Sequence, residues 1–478
     1  MKTSFTLKRL LLLLGLPLPL LLPGGGKGAF TAGAQDYSPL YRDLSIEIAM
    51  PELPVIPERR VSVLDFGAKG DGLSDNAASF KKAVKALAKQ GGGHLDVPAG
   101  VYLTSPFSLS SHIDLHLEKG AVIQLSPDKK DHLEKGKVVP GIRASKQTDI
   151  SITGEGTIDG NGQLWRAVKR VKVSDTEWAA FRRMGGTVSE DGSLWYPFNL
   201  NGFDNIADVA EAQEKLRTHL VRFTDCERVL VSGVTIQNSP KFHLVPQRCT
   251  DVTFDGVRVR CPWNAQNGDG IDPMQCRRVL ITGCIVDVGD DGICLKGGVG
   301  SEGVKNGPCE DFLIVGNTVY RAHGGFVIGS EFSGGINRIV VKDNFFSGTD
   351  TGLRFKSAVG RGGRTSNVFI TGTRMTDIGG EAIIFETTYL DRPAGSPEEG
   401  IWKDIEEQFV PDFTDIHISD LVCRGCRTGI LVKGTAQTVH GIEVKDGTIL
   451  YFGKGSDIPE GEAMVKMENV VFRPISGK

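Results

Sequence analysis

The sequence predicts an all-β fold: a right-handed parallel β-helix, or solenoid, with an N-terminal capping helix and long loop insertions. Three observations carry this expectation. A short strand-like segment closed by Gly or Asp recurs along most of the chain at intervals of roughly 23 to 33 residues, as expected of coils that cannot bury their own faces and must stack. Glycine is abundant at 61 residues while aromatics make up 7%, which suits a turn-dense β architecture better than a helical bundle. One amphipathic segment near the start can close the open end of a stacked core. An antiparallel sandwich is the competing reading, and recurrence at fixed offsets argues against it.

Residues 1–34 read as a secretory signal. Lys2, Lys8 and Arg9 precede an apolar run over residues 10–22, and Ala32-Gly33-Ala34 offers small residues for cleavage before Gln35. Pro17 and Pro19 interrupt the run, which is too short for a good membrane span. The expected location is therefore secreted or periplasmic. Residues 35–60 form an N-terminal extension, and residues 61–478 a single parallel β-helix domain that would carry the chemistry.

Val61-Ser62-Val63-Leu64-Asp65-Phe66-Gly67 reads as a strand running into a turn. Ser74 or Asp75 can cap a helix over residues 76–89. Phe80, Val84 and Leu87 lie on one face of it, lysines on the other, and Gly91-Gly92-Gly93 stops it. Short strands follow at residues 94–97, 101–103, 113–117 and 122–125. The repeat is explicit from Ile150-Ser151-Ile152-Thr153-Gly154, with copies starting at Val229, Val252, Val279, Phe312, Ile339, Val368 and Ile416. Stretches near residues 127–144, 161–216 and 392–409 break the period, and the second contains Trp165, Trp178 and Trp195. Long insertions in a solenoid emerge as loops, where function concentrates, so these are read as walls of a groove.

The nine cysteines are odd in number, which leaves at least one unpaired. Several fall on the repeat and suit burial as small hydrophobes. Cys423 and Cys426 form a lone C-x-x-C, better suited to a structural or disulfide role than to zinc. A net charge of -3 and a pI near 6.3 indicate no nucleic-acid partner. No other stretch is apolar enough for a membrane, and a monomer is expected.

In a stacked solenoid, equivalent positions of adjacent coils lie about 4.8 Å apart. Asp269 (in Asn267-Gly268-Asp269) and the pair Asp290-Asp291 are separated by close to one coil. His323 follows at the next interval, and Arg354 and Lys356 at the one after. Period-two alternation puts Arg354 and Lys356 on one face, with Leu353 and Phe355 opposite. Three acids on neighbouring turns would push at least one pKa upward, and hydrolysis of an acetal needs one protonated carboxyl and one ionised carboxylate. Two cations beside them suit a substrate that carries its own carboxylate, and His323 could hydrogen-bond an acid or a sugar hydroxyl. Each motif alone is commonplace: Asp-Asp as a solvated turn, a His in a Gly-rich turn as structural, Arg-x-Lys as an exposed strand face. Asp272 and Asp287 fit turn roles, and Asp272 is assigned a structural one. The ordered set at coil-like intervals is what points to a site.

That ordered set resembles the polygalacturonase family, glycoside hydrolase family 28, whose motifs Asn-Thr-Asp, Gly-Asp-Asp, Gly-His-Gly and Arg-Ile-Lys run in this order. Here they read Asn267-Gly268-Asp269, Gly289-Asp290-Asp291, Ala322-His323-Gly324 and Arg354-Phe355-Lys356. The stretch from Gly154 to Gly162 and Asn238-Ser239-Pro240 look like the same family, and Asp65-Phe66-Gly67-Ala68-Lys69-Gly70-Asp71-Gly72 is similar to pectin-active β-helices more widely. The resemblance implies a secreted hydrolase that cleaves α-1,4-galacturonosyl linkages of pectic polysaccharide with inversion. It casts Asp290 as general acid, Asp269 and Asp291 as the pair that activates water, and His323 as support for the acid. Arg354, Lys356, Asn267 and Tyr389 would bind substrate. No metal or cofactor is implied. Gly268, Ala322 and Phe355 depart from the family pattern without removing a charge. The loop insertions depart most, and they favour exo action.

Three alternatives stay open at this point. One is a rhamnogalacturonan or xylogalacturonan hydrolase of the same family. Another is a β-eliminating pectate or pectin lyase on the same fold. The third is a non-catalytic β-helix that only binds polysaccharide.

Overall fold

The computed structural model describes residues 35–199, 209–389 and 406–476. The signal segment and residues 392–405 of the third insertion lie outside the described residues.

Every copy of the repeat is a rung of one parallel sheet. Ile150, Val229, Val252, Val279, Phe312, Ile339, Val368 and Ile416 are Cα partners from coil to coil, and Ile442 and Val465 continue the row. A second sheet of short strands stacks Ile158, Ile236, Val259, Val286, Val319, Phe346 and Met375. A third stacks Leu244, Ile271, Ile293, Phe326, Leu353, Ile383 and Ile430. All these side chains point inward and are buried. Burying each large one contributes about 1.5–3 kcal/mol, which no single coil achieves without its neighbours.

The helix Ala77–Lys89 closes the N-terminal end of the core. Asp75 accepts from the Ala77 N–H at 3.0 Å and ties the helix start to Ser105 N at 3.1 Å. Phe80, Val84 and Leu87 are buried, and Phe80 stacks on Phe107 with centroids 4.6 Å apart. At the other end Gly92 N–H donates to Leu87 O at 2.9 Å. A Cβ at Gly92 would meet the His112 carbonyl oxygen at 2.2 Å, and its φ is +109°. Among the described residues no helix is long and apolar enough to cross a membrane.

The extension over residues 35–60 lies on the outer face of the first sheet. Tyr37 and Ile48 pack on Leu280, Leu313, Val315 and Val340, and the Tyr37 hydroxyl donates to Asp255 at 2.8 Å. Just before each rung of that sheet, stacked residues take positive φ: Asp149, Arg228, Asp251, Arg278, Asp311 and Arg338.

One expectation is corrected. The departure near residues 127–144 ends earlier, because Ile142–Ser145 is a strand of the third sheet paired with Phe107–Ser108 and Val221–Thr224. Its alternation, with Ile142 and Ala144 inward, is too short to register as a period. The cysteines form no disulfide: all nine are free and buried. Cys423 occupies a core rung between Met375 and Ile449, so Cys423 and Cys426 pack as small apolar groups.

The excursion over residues 161–216 has structure of its own. Val168–Lys169, Leu194–Tyr196 and Thr187–Val188 form a small antiparallel sheet. The helix Asp175–Arg183 starts on a capping box in which Ser174 and Glu177 satisfy each other's N–H groups. A second helix, Val209–Leu216, leads back to the solenoid.

Candidate active site

The register of the third sheet collects the predicted residues. Ile271, Ile293, Phe326 and Leu353 are successive rungs, so Asp269, Asp290-Asp291, His323 and Arg354 with Lys356 come from four consecutive coils. Backbone bonds link them: Gly270 N–H donates to Asp291 O and His323 N–H to Asp290 O, both at 2.9 Å. The turn entering these strands needs glycine. A Cβ at Gly292 would meet Val319 at 2.7 Å, and one at Gly325 would meet the Phe346 ring at 2.4 Å. Leu353 and Phe355 point into the core and Phe355 stacks on Phe385, which leaves Arg354 and Lys356 on the cleft side as alternation predicts.

Asp291 is held from two sides, with Lys356 Nζ at 2.6 Å and Arg354 Nη1 at 3.1 Å, while its side chain is 1% exposed. Burial pushes its pKa up, but Lys356 and Arg354 outweigh this and hold it below the ordinary carboxylate value. The Lys356 ammonium is shifted up, since Asp291 outweighs the cost of burying it. The Tyr389 ring centre lies 5.2 Å from the Arg354 guanidinium and 4.8 Å from Lys356 Nζ, so Tyr389 joins the cationic end of the cleft.

Asp290 accepts from the Asn267 N–H at 3.1 Å and stands 3.1 Å from His323 Nδ1. Burial again pushes upward, and His323, then Lys356 and Arg354, reverse it and leave Asp290 well below the usual range. Asp269 behaves oppositely: burial, then the charges of Asp272 and Asp290, raise it well above. The expected rise of at least one pKa is therefore met, with desolvation rather than repulsion as the first cause. These shifts favour the ionised form at Asp290 and the protonated form at Asp269, because His323, Lys356 and Arg354 act on the Asp290 carboxylate while Asp269 meets other acids.

Asp272, read as structural, lies in the interior beside these acids. It is fully buried and pushed up to about 8, by burial first, with Lys296 opposing and Asp291 adding to the rise. Lys296 Nζ lies 3.8 Å from Asp272 and 3.6 Å from Glu331, and donates to Gly329 O at 3.3 Å. Asp287 stays in the second sheet, away from the carboxylates. Asn267 takes a positive φ of 50° and its side-chain oxygen accepts from Arg217 at 2.9 Å, so that oxygen helps hold the loop. His243 Nδ1 lies 2.7 Å from Asp269 O, and its Nε2 accepts from Ser239 N–H at 3.1 Å. Asn238-Ser239-Pro240 thus braces the backbone of Asp269.

Sequence reasoning missed Lys296, Arg217 and Lys172. Lys296 shares a row with Lys356 through Gly329, a signal readable only once the register is known. Lys172 arrives from the irregular excursion, and no periodicity marks it. Ligand atoms of Asp290, Asp291 and His323 lie within 4.8 Å of one another. The donor set still does not fit a divalent cation, because Lys356 and Arg354 already occupy both oxygens of Asp291.

Comparison with known proteins agrees with this geometry. Residues 169–415, more than half of the chain, match the sequence profile described as Glycosyl hydrolases family 28. A probable polygalacturonase of Vitis vinifera is 29% identical over 334 residues, and the alignment covers 66% of this chain but only 60% of that protein's length. An endo-polygalacturonase of Pectobacterium carotovorum subsp. carotovorum is 27% identical over 387 residues, 78% of this chain and 83% of that one. The crystal structure of a hyperthermoactive exopolygalacturonase from Thermotoga maritima matches with a TM-score of 0.71 at 29% identity, covering 89% of this chain and 94% of that chain. Stacked acids, imidazole and cations on the third sheet of a parallel β-helix, together with this match, place the chain in glycosyl hydrolases family 28.

Proposed function

We propose that the chain hydrolyses α-1,4-galacturonosyl linkages of pectic polysaccharide by a single inverting displacement, as an exported enzyme acting from a chain end. The observation that carries the reading is the Arg354–Lys356–Tyr389 cluster abutting buried acids: a cationic seat for a substrate carboxylate, next to groups able to give a proton and hold a water. Asp290 protonates the leaving oxygen. It does so because a bound galacturonate brings negative charge onto Arg354 and Lys356 and excludes water, and both changes raise the pKa of Asp290. His323 holds the Asp290 carboxyl in place through Nδ1.

Oxygens of Asp290 and Asp291 approach within 4.8 Å, close for a pair that flanks a water in inversion, for which about 6.5–9.5 Å is usual. The water is assigned to Asp269 and Asp291, the two acids that remain once Asp290 is cast as the proton donor. The raised pKa of Asp269 favours one rival reading, in which Asp269 donates the proton. End-wise action is supported by the excursion over residues 161–216, which brings Lys172 to the cleft.

Leaving-group dependence separates the two acids. Asp290→Asn should lower turnover of polygalacturonate on the order of 10³-fold or more, yet cost far less on an aryl galacturonide whose leaving group needs no proton. Asp269→Asn should lose on both. Reversal of that pattern moves the acid to Asp269. NMR of the first-formed anomer tests inversion, and the product ladder over time reads exo action.

A further inference from the structure

On the side of His323 away from Asp290 lies a cavity of about 350 Å³ that the proposed chemistry leaves unused. Lys172, Trp263, Arg321 and Asp350 wall it, with His323 at its base. Lys172 Nζ stands 2.9 Å from His323 Nε2 and 3.3 Å from Gly289 O. An ammonium has three donors and no acceptor. With Lys172 charged, its ammonium is the donor to Nε2 while Nδ1 faces Asp290, and its remaining N–H is left for a ligand.

The indole of Trp263 is 46% exposed, and its centre lies 6.0 Å from Lys172 Nζ. The Arg321 side chain is exposed as well. Three carboxylates act on these cations: Asp350, which is 3.7 Å from His323 Nε2 and 72% exposed, with Asp290 acting on Lys172 and Asp287 on Arg321. A large aromatic surface with a few oriented charges is the make-up of a ligand seat. Its place matters too. Asp350 lies four and six residues before Arg354 and Lys356, and His323 and Asp290 precede them by the same register. A chain spanning both cationic ends would have to cross Asp290.

We propose that Lys172, Arg321 and Trp263 form a second sugar-acid subsite, across Asp290 from Arg354 and Lys356. The carboxylate of a uronic acid sits on Lys172 and Arg321, and its ring rests on Trp263. The inference rests on the galacturonan reading and assigns the sugar on the far side of the scissile bond.

The test is titration calorimetry on the full chain carrying Asp290→Asn, with trigalacturonate and its fully methyl-esterified counterpart as ligands. Added Lys172→Met should weaken binding of the free acid about tenfold, the value of one charge-assisted hydrogen bond, and leave the ester unchanged. Lys172→Arg should recover most of the loss, and Trp263→Ala should weaken both ligands alike. Equal loss on acid and ester, or no loss, overturns the subsite. Should Lys172→Met fail to fold, Arg321→Gln at its exposed position asks the same question. Turnover of polygalacturonate by the unsubstituted chain is followed in parallel. Charge-dependent binding without any cleavage would sink the hydrolase reading and keep the subsite, whereas cleavage without charge-dependent binding at Lys172 sinks the subsite alone.

Discussion

Two columns of charged side chains run along this solenoid, and they are built in opposite ways. Before the first sheet the column alternates in sign. Arg228 grips Asp149 at 2.7 and 2.9 Å, Arg278 grips Asp251 at 2.6 and 2.7 Å, and Arg338 grips Asp311 at 2.7 and 2.8 Å. Each acid meets an arginine from the next coil. In the cleft, Asp269 stands against Asp290 and Asp291 with Asp272 behind it; Lys296 reaches the Asp272 side, and Arg354 and Lys356 arrive two coils after Asp291. The same stacking register serves both columns, so a neutralising partner was geometrically available to the cleft acids. Leaving acids beside acids costs stability that the alternating column does not lose, and such local violations of good packing mark functional sites.

Removing one cation from the cleft should give the largest effect. Lys356→Met leaves Asp291, almost fully buried, with Arg354 alone, and losing one partner of a buried pair costs about 3–5 kcal/mol. Asp291 has a lowered folded pKa, so the stabilisation it gains from Lys356 exists above the ordinary Asp pKa and fades as pH falls through the folded value. The gap between wild type and variant should therefore be widest near neutrality and narrow below about pH 4. Chemical denaturation across pH reads this, and a gap indifferent to pH would mean that Lys356 acts through packing alone.

Asp272 should show the opposite sign. Its folded pKa of about 8 lies above the ordinary value, so between about pH 4 and pH 8 the folded chain holds a proton that the unfolded chain has released, and stability falls as pH rises. Asp272→Asn removes that slope. Wild type and variant should match near pH 4, and the variant should be the more stable at pH 7 by on the order of 2 kcal/mol, after relaxation around the buried group. Lys296 keeps Glu331 as its partner. Parallel stability curves for the two proteins would show that the proton is not held there.

Much of this was legible in the sequence, for reasons that can be named. Ile150 through Ile416 announced the coil because inward side chains must repeat for stacking to bury them. Once the coil was known, Asp269, Asp290, Asp291, His323, Arg354 and Lys356 followed from their intervals. The full burial of Asp272 was not legible because three residues of turn do not reveal which way a side chain faces. Which acid has the raised pKa was not legible, because the lowered pKa of Asp290 depends on His323, Lys356 and Arg354 together, from coils up to 66 residues away. Lys172 stayed hidden because an excursion with its own small sheet carries no periodic constraint tying it to the cleft.

The alternating column supplies the smallest effect and the sharpest control. Arg278→Leu leaves Asp251, a buried carboxylate, with the Glu52 N–H at 3.1 Å as its partner among the described residues. The arginine itself is over a third exposed, so water can reach the vacated side and the cost should be about 1–2 kcal/mol. Added salt should shrink it, since screening acts on the exposed half of the pair. Turnover should not change, because the column lies on the turn before the first sheet and the acids lie on the third. Urea denaturation at two salt concentrations, beside a rate measurement, decides the point. A loss equal to that of Lys356→Met would show that both columns carry the same kind of charge pair, and the contrast that sets the cleft apart would fail.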